Sequence, residues 1–152
     1  MNRIWRAIAV DARMDRVFGF LSDPKNLADV WPNLIEVRHI QPAGEKGAYD
    51  FDAAFLMAQK RLDARAESVD VRQYNRLKIR TSRDLQSIIG WQLAPIGGDA
   101  TRVTVKFEFE TPRQSAEHDD ALRIVKENER GVNEMLKNLK NRVEAESAYA
   151  EA

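Results

Sequence analysis

The spacing of hydrophobic and polar residues changes several times along the chain. Residues 3–10 are β-compatible and predict a first strand. Four apolar residues then share one face of a predicted helix: Met14, Val17, Phe18 and Leu21. Asp23-Pro24 ends this helix, because the residue before a proline is pushed out of the α region. Pro24 also suits the first position of a second short helix, which leads to Trp31-Pro32.

From Leu34 onward the period becomes that of strands. The predicted strands span residues 35–42, 49–57, 61–71, 77–82, 85–95 and 101–110, with turns at 42–47, 73–76 and 96–99. The last strand is the clearest, with Val103, Val105, Phe107 and Phe109 facing inward between polar neighbours. Hairpin connections between these strands imply an antiparallel sheet.

A polar segment at 113–120 leads into a predicted long C-terminal helix. Its stripe consists of Ala121, Val125, Asn128, Val132, Met135, Leu139 and Val143. Only this helix is large enough to cover the apolar sheet face, so we expect an α+β fold with a curved sheet of about seven strands around it. We expect one domain over residues 1–146, with 147–152 as a frayed tail.

Composition excludes several classes of protein. Hydrophobic residues at 43% and charged residues at 32% are typical of a soluble globular protein, and the net charge is zero. The protein therefore has no net positive charge that would attract nucleic acid or anionic lipid. Cysteine is absent, which is compatible with a cytoplasmic location. The N-terminus has only a short apolar run and predicts neither a signal peptide nor a transmembrane segment.

Three stretches resemble the START-like (SRPBCC, helix-grip) superfamily, and most closely its polyketide cyclase/dehydrase and coenzyme-Q-binding branch. They are VDARMDRVFGFLSDPKNLADVWPNLIEV, GWQLAPIGGDATRVTVKFEFETP and IVKENERGVNEMLKNLKNRVE. The resemblance spans about residues 3–144. It departs at the corner, where relatives often carry two tryptophans and this chain has Val30-Trp31.

The resemblance implies an apolar tunnel between sheet and long helix that holds quinones, isoprenoids, lipids or polyketides. Trp31 and Pro32 would then form its mouth or wall. The candidate ligand-binding residues are Trp31, Tyr49, Phe51, Phe55, Met57, Trp91, Phe107, Val125, Asn128 and Val132. As a set of aromatic and aliphatic residues they equally fit an ordinary core, and we expect most of them to serve both purposes.

Asn128 and Gly131 are the unusual residues of the helix stripe. An unpaired amide at Asn128 would cost about 1–3 kcal/mol. This residue therefore hydrogen-bonds the sheet, is exposed by a slight rotation of the helix, or anchors a ligand's carbonyl or hydroxyl. Gly131 costs about 1 kcal/mol against alanine in a helix, which indicates close approach of the sheet or of a ligand.

Polar candidates elsewhere are weaker. His39 and His118 have no carboxylate or nucleophile placed beside them by the sequence, and His118 fits a solvated helix start. Arg61 faces either inward, toward an anionic ligand, or outward among acidic residues. A basic stripe of Arg76, Lys78, Arg80 and Arg83 either meets an anionic partner or is neutralised by Asp52, Glu108 and Glu110.

We expect no metal site and no cofactor, because ligand-spaced His and Cys residues and Gly-rich phosphate loops are missing from the sequence. Basic residues without aromatic interleaving predict no direct nucleic-acid partner. The leading hypothesis is a binder or carrier of a hydrophobic small molecule, with a transient membrane or protein partner compatible with it. The alternatives are a polyketide cyclase/dehydrase, whose catalytic residues the sequence does not identify, and a ribosome-associated regulator, suggested only by the resemblance.

Overall fold

The computed structural model describes residues 1–44, 47–112 and 118–151. In order these form β1 (Asn2–Val10), α1 (Met14–Leu21), α2 (Pro24–Val30), β2 (Leu34–Pro42), β3 (Tyr49–Met57), β4 (Lys60–Arg72), β5 (Arg76–Arg83), β6 (Ser87–Ile96), β7 (Ala100–Phe109) and α3 (His118–Glu151). The seven strands make one antiparallel sheet in the order β1-β7-β6-β5-β4-β3-β2. This confirms the predicted α+β architecture, in which a curved sheet grips a long C-terminal helix.

The two short helices begin and end where local chemistry requires it. Pro24 occupies the first turn of α2, and the Asp23 side chain caps it by accepting a hydrogen bond from the Lys25 N–H at 3.0 Å. Helix α1 begins at Met14, directly after Arg13, without a side-chain cap. Its apolar face buries Val17, Phe18, Phe20 and Leu21.

The turns between strands use left-handed backbone. Tyr74 (φ 68°) lies in the predicted turn at 73–76, and Gly97 (φ 62°) lies in the one at 96–99. Strands β3 and β4 are joined by Ala58 and Gln59, both at positive φ, as in tight hairpins. The turn predicted at 42–47 includes residues 45 and 46, which lie outside the described residues.

The inner face of α3 differs in detail from the predicted stripe. Asn128, Val132, Met135, Leu139 and Val143 are buried as expected. Ile124 is fully buried, however, whereas its neighbour Val125 is only partly buried. One step along a helix rotates a side chain by about 100°. In the first turns of α3, the buried position is therefore that of Ile124 and not the predicted position of Val125.

The helix continues beyond the predicted domain end. Residues 147–151 are helical in the structure, and Ser147 is buried. The boundary at residue 146 therefore has no counterpart in the secondary structure. Fraying of this segment in solution stays a prediction. Of the polar segment expected before α3, residues 113–117 lie outside the described residues, and the helix begins at His118.

Helix α3 is fixed to the end of β1 by charged groups. Glu144 accepts a hydrogen bond from the Asp11 N–H at 2.7 Å and pairs with Lys140, whose ammonium also donates to the Ala9 carbonyl at 3.1 Å. Partial burial raises the pKa of Glu144, but the bonds from Lys140 and Asp11 outweigh it and lower the pKa below its ordinary value. This contact closes one end of the helix-to-sheet interface.

Candidate functional site

Trp31 lies at the corner where α2 gives way to β2. Its backbone N–H ends the helix by donating to the Leu27 carbonyl at 2.8 Å. Its side chain is 3% exposed and meets the rings of Phe55 and Phe107 edge-on, at centroid distances of 5.4 and 5.3 Å. Trp31 therefore packs into the core, and its indole is one wall of the interior between α2 and the sheet.

A small cavity adjoins this wall. Its volume is about 10 Å³, which is room for roughly one water molecule. The lining residues come from α2, the corner and strands β2 to β6: Leu27, Trp31, Leu34, Phe51, Phe55, Ala66, Ile79, Thr81, Ser87, Ile89 and Trp91. The continuous tunnel expected from the sequence is therefore not open along these residues, because the aromatic rings fill the space by packing on one another.

The cavity lining combines apolar surface with a few polar groups. The Thr81 and Ser87 hydroxyls lie 2.6 Å apart, and Thr81 also donates to the Leu85 carbonyl at 2.9 Å. Trp31 and Trp91 are both buried, and their indole N–H groups have no acceptor among the described residues. Unpaired buried donors are rare and cost about 1–3 kcal/mol each, so these two N–H groups are chemically unusual among the residues that line the cavity.

The candidate ligand-binding residues lie in separate parts of the structure. Trp31, Phe51, Phe55 and Trp91 line the cavity together. Phe107 lies behind Trp31 and stacks on Phe109 at 4.9 Å. Tyr49, at the start of β3, is only partly buried, and its backbone exchanges hydrogen bonds with the Ser68 hydroxyl at 3.1 and 2.8 Å.

The remaining candidates form a second group on the helix side. Asn128 is fully buried, and its Nδ2 lies 3.8 Å from the Met57 sulfur, a weak acceptor. Its Oδ1 has no donor among the described residues. Val132 is fully buried and Val125 partly so. The amide thus contacts the sheet through the Met57 side chain, as one reading of the sequence expected, while its oxygen accepts no bond from the described residues.

Sequence reasoning missed Asn33, which explains Gly131. Asn33 Nδ2 donates to the Leu56 carbonyl at 3.2 Å, and Leu56 N–H donates back to the Asn33 carbonyl at 2.8 Å. A Cβ at position 131 would lie 1.7 Å from Asn33 Oδ1. The glycine therefore admits the side chain of the α2–β2 corner rather than a strand or a ligand. The glycine inside a buried helical stripe indicated that another group approaches the helix closely. It did not indicate that this group is the Asn33 side chain.

His39 and Arg61 face away from the interior, whereas the side chain of His118 lies outside the described part of the chain. His39 Nδ1 lies 2.7 Å from Asp52 Oδ2, and the His39 side chain is 69% exposed. The pKa of Asp52 is lowered by this bond, against partial burial, and further by Arg65. Arg61 is exposed and binds Glu36 at 2.7 Å and Asp63 at 3.2 Å, which raises its pKa. The outward orientation weighed for Arg61 is the one observed.

The sequence of residues 1–144 matches the family described as polyketide cyclase/dehydrase and lipid transport. This chain belongs to that family. The match covers nearly all of the 152 residues and confirms the resemblance inferred from the three stretches quoted above. A comparison with curated protein sequences gave no significant match.

Solved structures share the fold of this family member at low sequence identity. TTHA0849 from Thermus thermophilus superposes with a TM-score of 0.76 at 18% identity, over 96% of this chain and 99% of that one. The Zhui aromatase/cyclase from Streptomyces sp. R1128 gives 0.73 at 18% identity, over 94% and 93%. A START superfamily protein from Mycobacterium smegmatis gives 0.69 at 10% identity, over 97% and 98%. These likenesses establish the START-like helix-grip fold.

Two further observations bear on the class of site. Among residues 1–44, 47–112 and 118–151, no helix is long and apolar enough to cross a membrane. Within the same part of the chain, no three His, Cys, Asp or Glu side chains are grouped as metal ligands would be.

Proposed function

We propose that the protein binds or carries a hydrophobic small molecule that bears a carbonyl group, such as a quinone or a polyketide, in the interior between α2 and strands β3 to β6. The observation that carries this proposal is that Trp31 and Trp91, whose buried indole N–H groups have no acceptor among the described residues, both line a mainly apolar cavity. Apolar walls with a few polar groups are typical of small-molecule sites.

The unpaired donors favour an acceptor-bearing ligand over a plain hydrocarbon. A ligand carbonyl that accepts from one indole N–H would remove a penalty of about 1–3 kcal/mol from the ligand-free state. Apolar ligand surface buried beside it would add about 25 cal/mol per Å². Isoprenoids and lipids without an oxygen near their ring or head would gain only the contribution from buried apolar surface.

Binding requires the interior to expand, since about 10 Å³ holds no ligand of this class. We propose that the α2 corner moves. It supplies Leu27, Trp31 and Leu34 to the lining. The polar contacts between α2 and α3 include an Asn138 Nδ2 bond to the Val30 carbonyl at 3.0 Å and an exposed Arg142–Asp29 ion pair at 3.7 Å. Exposed ion pairs contribute about 0–1 kcal/mol, so the loss of this ion pair when the corner moves costs little.

A second candidate function is cyclisation or dehydration of a polyketide, and the hydroxyl pair of Thr81 and Ser87 favours it. Two hydroxyls 2.6 Å apart beside a bound carbonyl could polarise it by hydrogen bonding. The lining residues carry no titratable side chain, however, and proton abstraction needs a base. Binding is therefore the better supported proposal.

Native mass spectrometry of gently purified protein, followed by solvent extraction, tests whether a hydrophobic molecule is bound. Affinity is then measured for menadione, a small naphthoquinone, and for 2-methylnaphthalene, which has the same ring system without carbonyls. We expect menadione to bind roughly 5- to 100-fold more tightly, as one recovered hydrogen bond predicts.

The matched variant is Trp91→Phe, which keeps an aromatic ring and removes the N–H. It should reduce menadione affinity about five-fold or more and leave the hydrocarbon's affinity nearly unchanged. Equal affinity for the two ligands in the wild type would contradict the proposal. For the enzyme candidate, turnover of a poly-β-carbonyl substrate that falls in Thr81→Val while binding survives would favour cyclase chemistry.

A further inference from the structure

The outer face of the sheet carries a concave surface, which we call the outer groove. It has a volume of about 350 Å³ and is lined by Trp5, Asp70, Arg76, Lys78, Gly90, Trp91, Gln92, Thr104 and Lys106. The strand register places Trp5, Lys106, Gly90, Lys78 and Asp70 in one row across five strands. The groove lies on the side of the sheet opposite to α3, and Trp91 is the residue that its lining has in common with the interior cavity.

Gly90 forms the floor of the outer groove. It lies in the middle of β6, between Lys106 on β7 and Lys78 on β5. Glycine weakens a strand interior and often marks a place where a ligand approaches the backbone. A Cβ at this position would meet only the Lys78 side chain at 3.7 Å and the Leu77 carbonyl at 3.9 Å, which are ordinary contacts. Packing therefore does not require glycine here.

The walls of the groove are predominantly cationic. Lys78, Lys106 and Arg76 carry three positive charges against one negative charge on Asp70, so the lining has a net charge of +2. Arg76 pairs with Asp70 at 3.0 Å, and Lys106 lies 3.3 Å from Glu108. The Lys78 ammonium has no ion pair or hydrogen bond within the described residues. An anionic group would thus meet one uncompensated ammonium and a second that is shared.

Trp5 supplies the aromatic side of the groove. It is 68% exposed, on the outer face of edge strand β1, directly beside Lys106 in the register. An exposed indole next to lysines offers a flat stacking surface beside a positive charge. Gln92 and Thr104 add polar groups along the floor.

We propose that the outer groove is a second binding site, for a small aromatic molecule with one anionic group such as a carboxylate or phosphate. The ring stacks on Trp5 above Gly90, and the anion lies between Lys78 and Lys106. The groove's volume is at the lower end of the range for ligand pockets, about 300–1,000 Å³, which limits the ligand to one or two rings. The site is independent of the interior proposed above.

The test uses protein labelled with 5-fluorotryptophan, in which Trp5→Phe identifies the Trp5 resonance by ¹⁹F NMR. Titration with 1-naphthyl phosphate should shift the Trp5 resonance in a saturable way and leave Trp31, which does not line the groove, unmoved. Inorganic phosphate carries only the anionic group of this ligand, and 1-naphthol carries only its aromatic rings. Each should bind at least about ten-fold more weakly than 1-naphthyl phosphate. Raising the salt from about 0.05 to 0.5 M should weaken naphthyl phosphate binding.

Gly90→Val fills the floor with a residue that favours strands and should abolish the Trp5 shift while the protein stays folded. The matched control is Ala94→Val, on the exposed face of the same strand but outside the groove. Lys78→Met should reduce affinity roughly two- to five-fold. The proposal is overturned by the absence of a saturable shift, by binding that survives Gly90→Val, by a shift of Trp31 or Trp91 instead of Trp5, or by inorganic phosphate binding equally well.

Discussion

Gly90 and Trp91 are neighbours in β6, and they face the two contrasting sides of the sheet. On the inner side, Trp91 is 1% exposed and borders a cavity of about 10 Å³. On the outer side, Gly90 floors an open groove of about 350 Å³. Successive residues of a strand point to opposite faces, so one pair of residues separates a closed aromatic interior from an open cationic surface.

This difference indicates how each side can bind. The interior cavity has a volume of only about 10 Å³, so the binding proposed there would be coupled to movement of the α2 corner and hence to stability. The outer groove has a volume of about 350 Å³ without rearrangement, so a ligand bound there would leave the core untouched. Variants of the two sides should therefore differ in their effect on the free energy of unfolding as well as on binding.

The largest expected difference is between two tryptophans. Trp31→Ala removes a buried ring that packs on Phe55 and Phe107 and should lower the free energy of unfolding by about 3–5 kcal/mol. Trp5→Ala, on the exposed face, should change it by less than about 0.5 kcal/mol. Urea unfolding followed by far-UV circular dichroism measures both. Similar losses for the two variants would show that the two faces are not energetically distinct.

A smaller effect is expected where the corner meets α3. Gly131→Ala should lower the free energy of unfolding by about 1–3 kcal/mol, because the new Cβ would lie 1.7 Å from Asn33 Oδ1. The same substitution in an unobstructed helix would raise it by about 1 kcal/mol. In an Asn33→Ala background the obstruction is gone, so a double-mutant cycle should show the penalty disappearing. An unchanged penalty in that background would place its cause elsewhere.

Asn128→Leu should have a smaller effect on stability than Trp31→Ala or Gly131→Ala. It removes a buried amide whose oxygen is unpaired, so the free energy of unfolding should stay within about 1 kcal/mol of the wild type. If Asn128 also anchors a ligand, the free energy of menadione binding should become less favourable by about 1–3 kcal/mol in the same variant. A marked loss of stability would identify Asn128 instead as a structural link between α3 and Met57.

The smallest effect is expected from pH, at the contact that holds α3 to β1. The pKa of Glu144 is lowered in the folded protein, so its contribution is fully present above the unfolded-state pKa of about 4.5 and is lost as pH falls through the folded-state value. Unfolding midpoints measured from pH 6 to pH 3 should fall less steeply in Glu144→Gln than in the wild type. Parallel pH profiles would show that Glu144 does not contribute.

The sequence predicted the architecture because period and turn chemistry are local signals. The alternation in β7 and the Asp23-Pro24 boundary of α2 required no knowledge of the rest of the chain. The cavity lining was predicted only in part, since Thr81 and Ser87 are brought beside Trp31 by strand pairing and by the position of α2. Asn33 was missed for the same reason. Its contact with Gly131 joins residues 98 positions apart, as their numbers in the chain give.

The most direct test of the central claim uses the three tryptophans as probes, since Trp31 lines the interior cavity, Trp5 lines the outer groove, and Trp91 borders both. Protein labelled with 5-fluorotryptophan is titrated with menadione and followed by ¹⁹F NMR. The account predicts saturable shifts of the Trp31 and Trp91 resonances with Trp5 unmoved. A titration that moves only Trp5, or none of the three, would contradict binding in the interior.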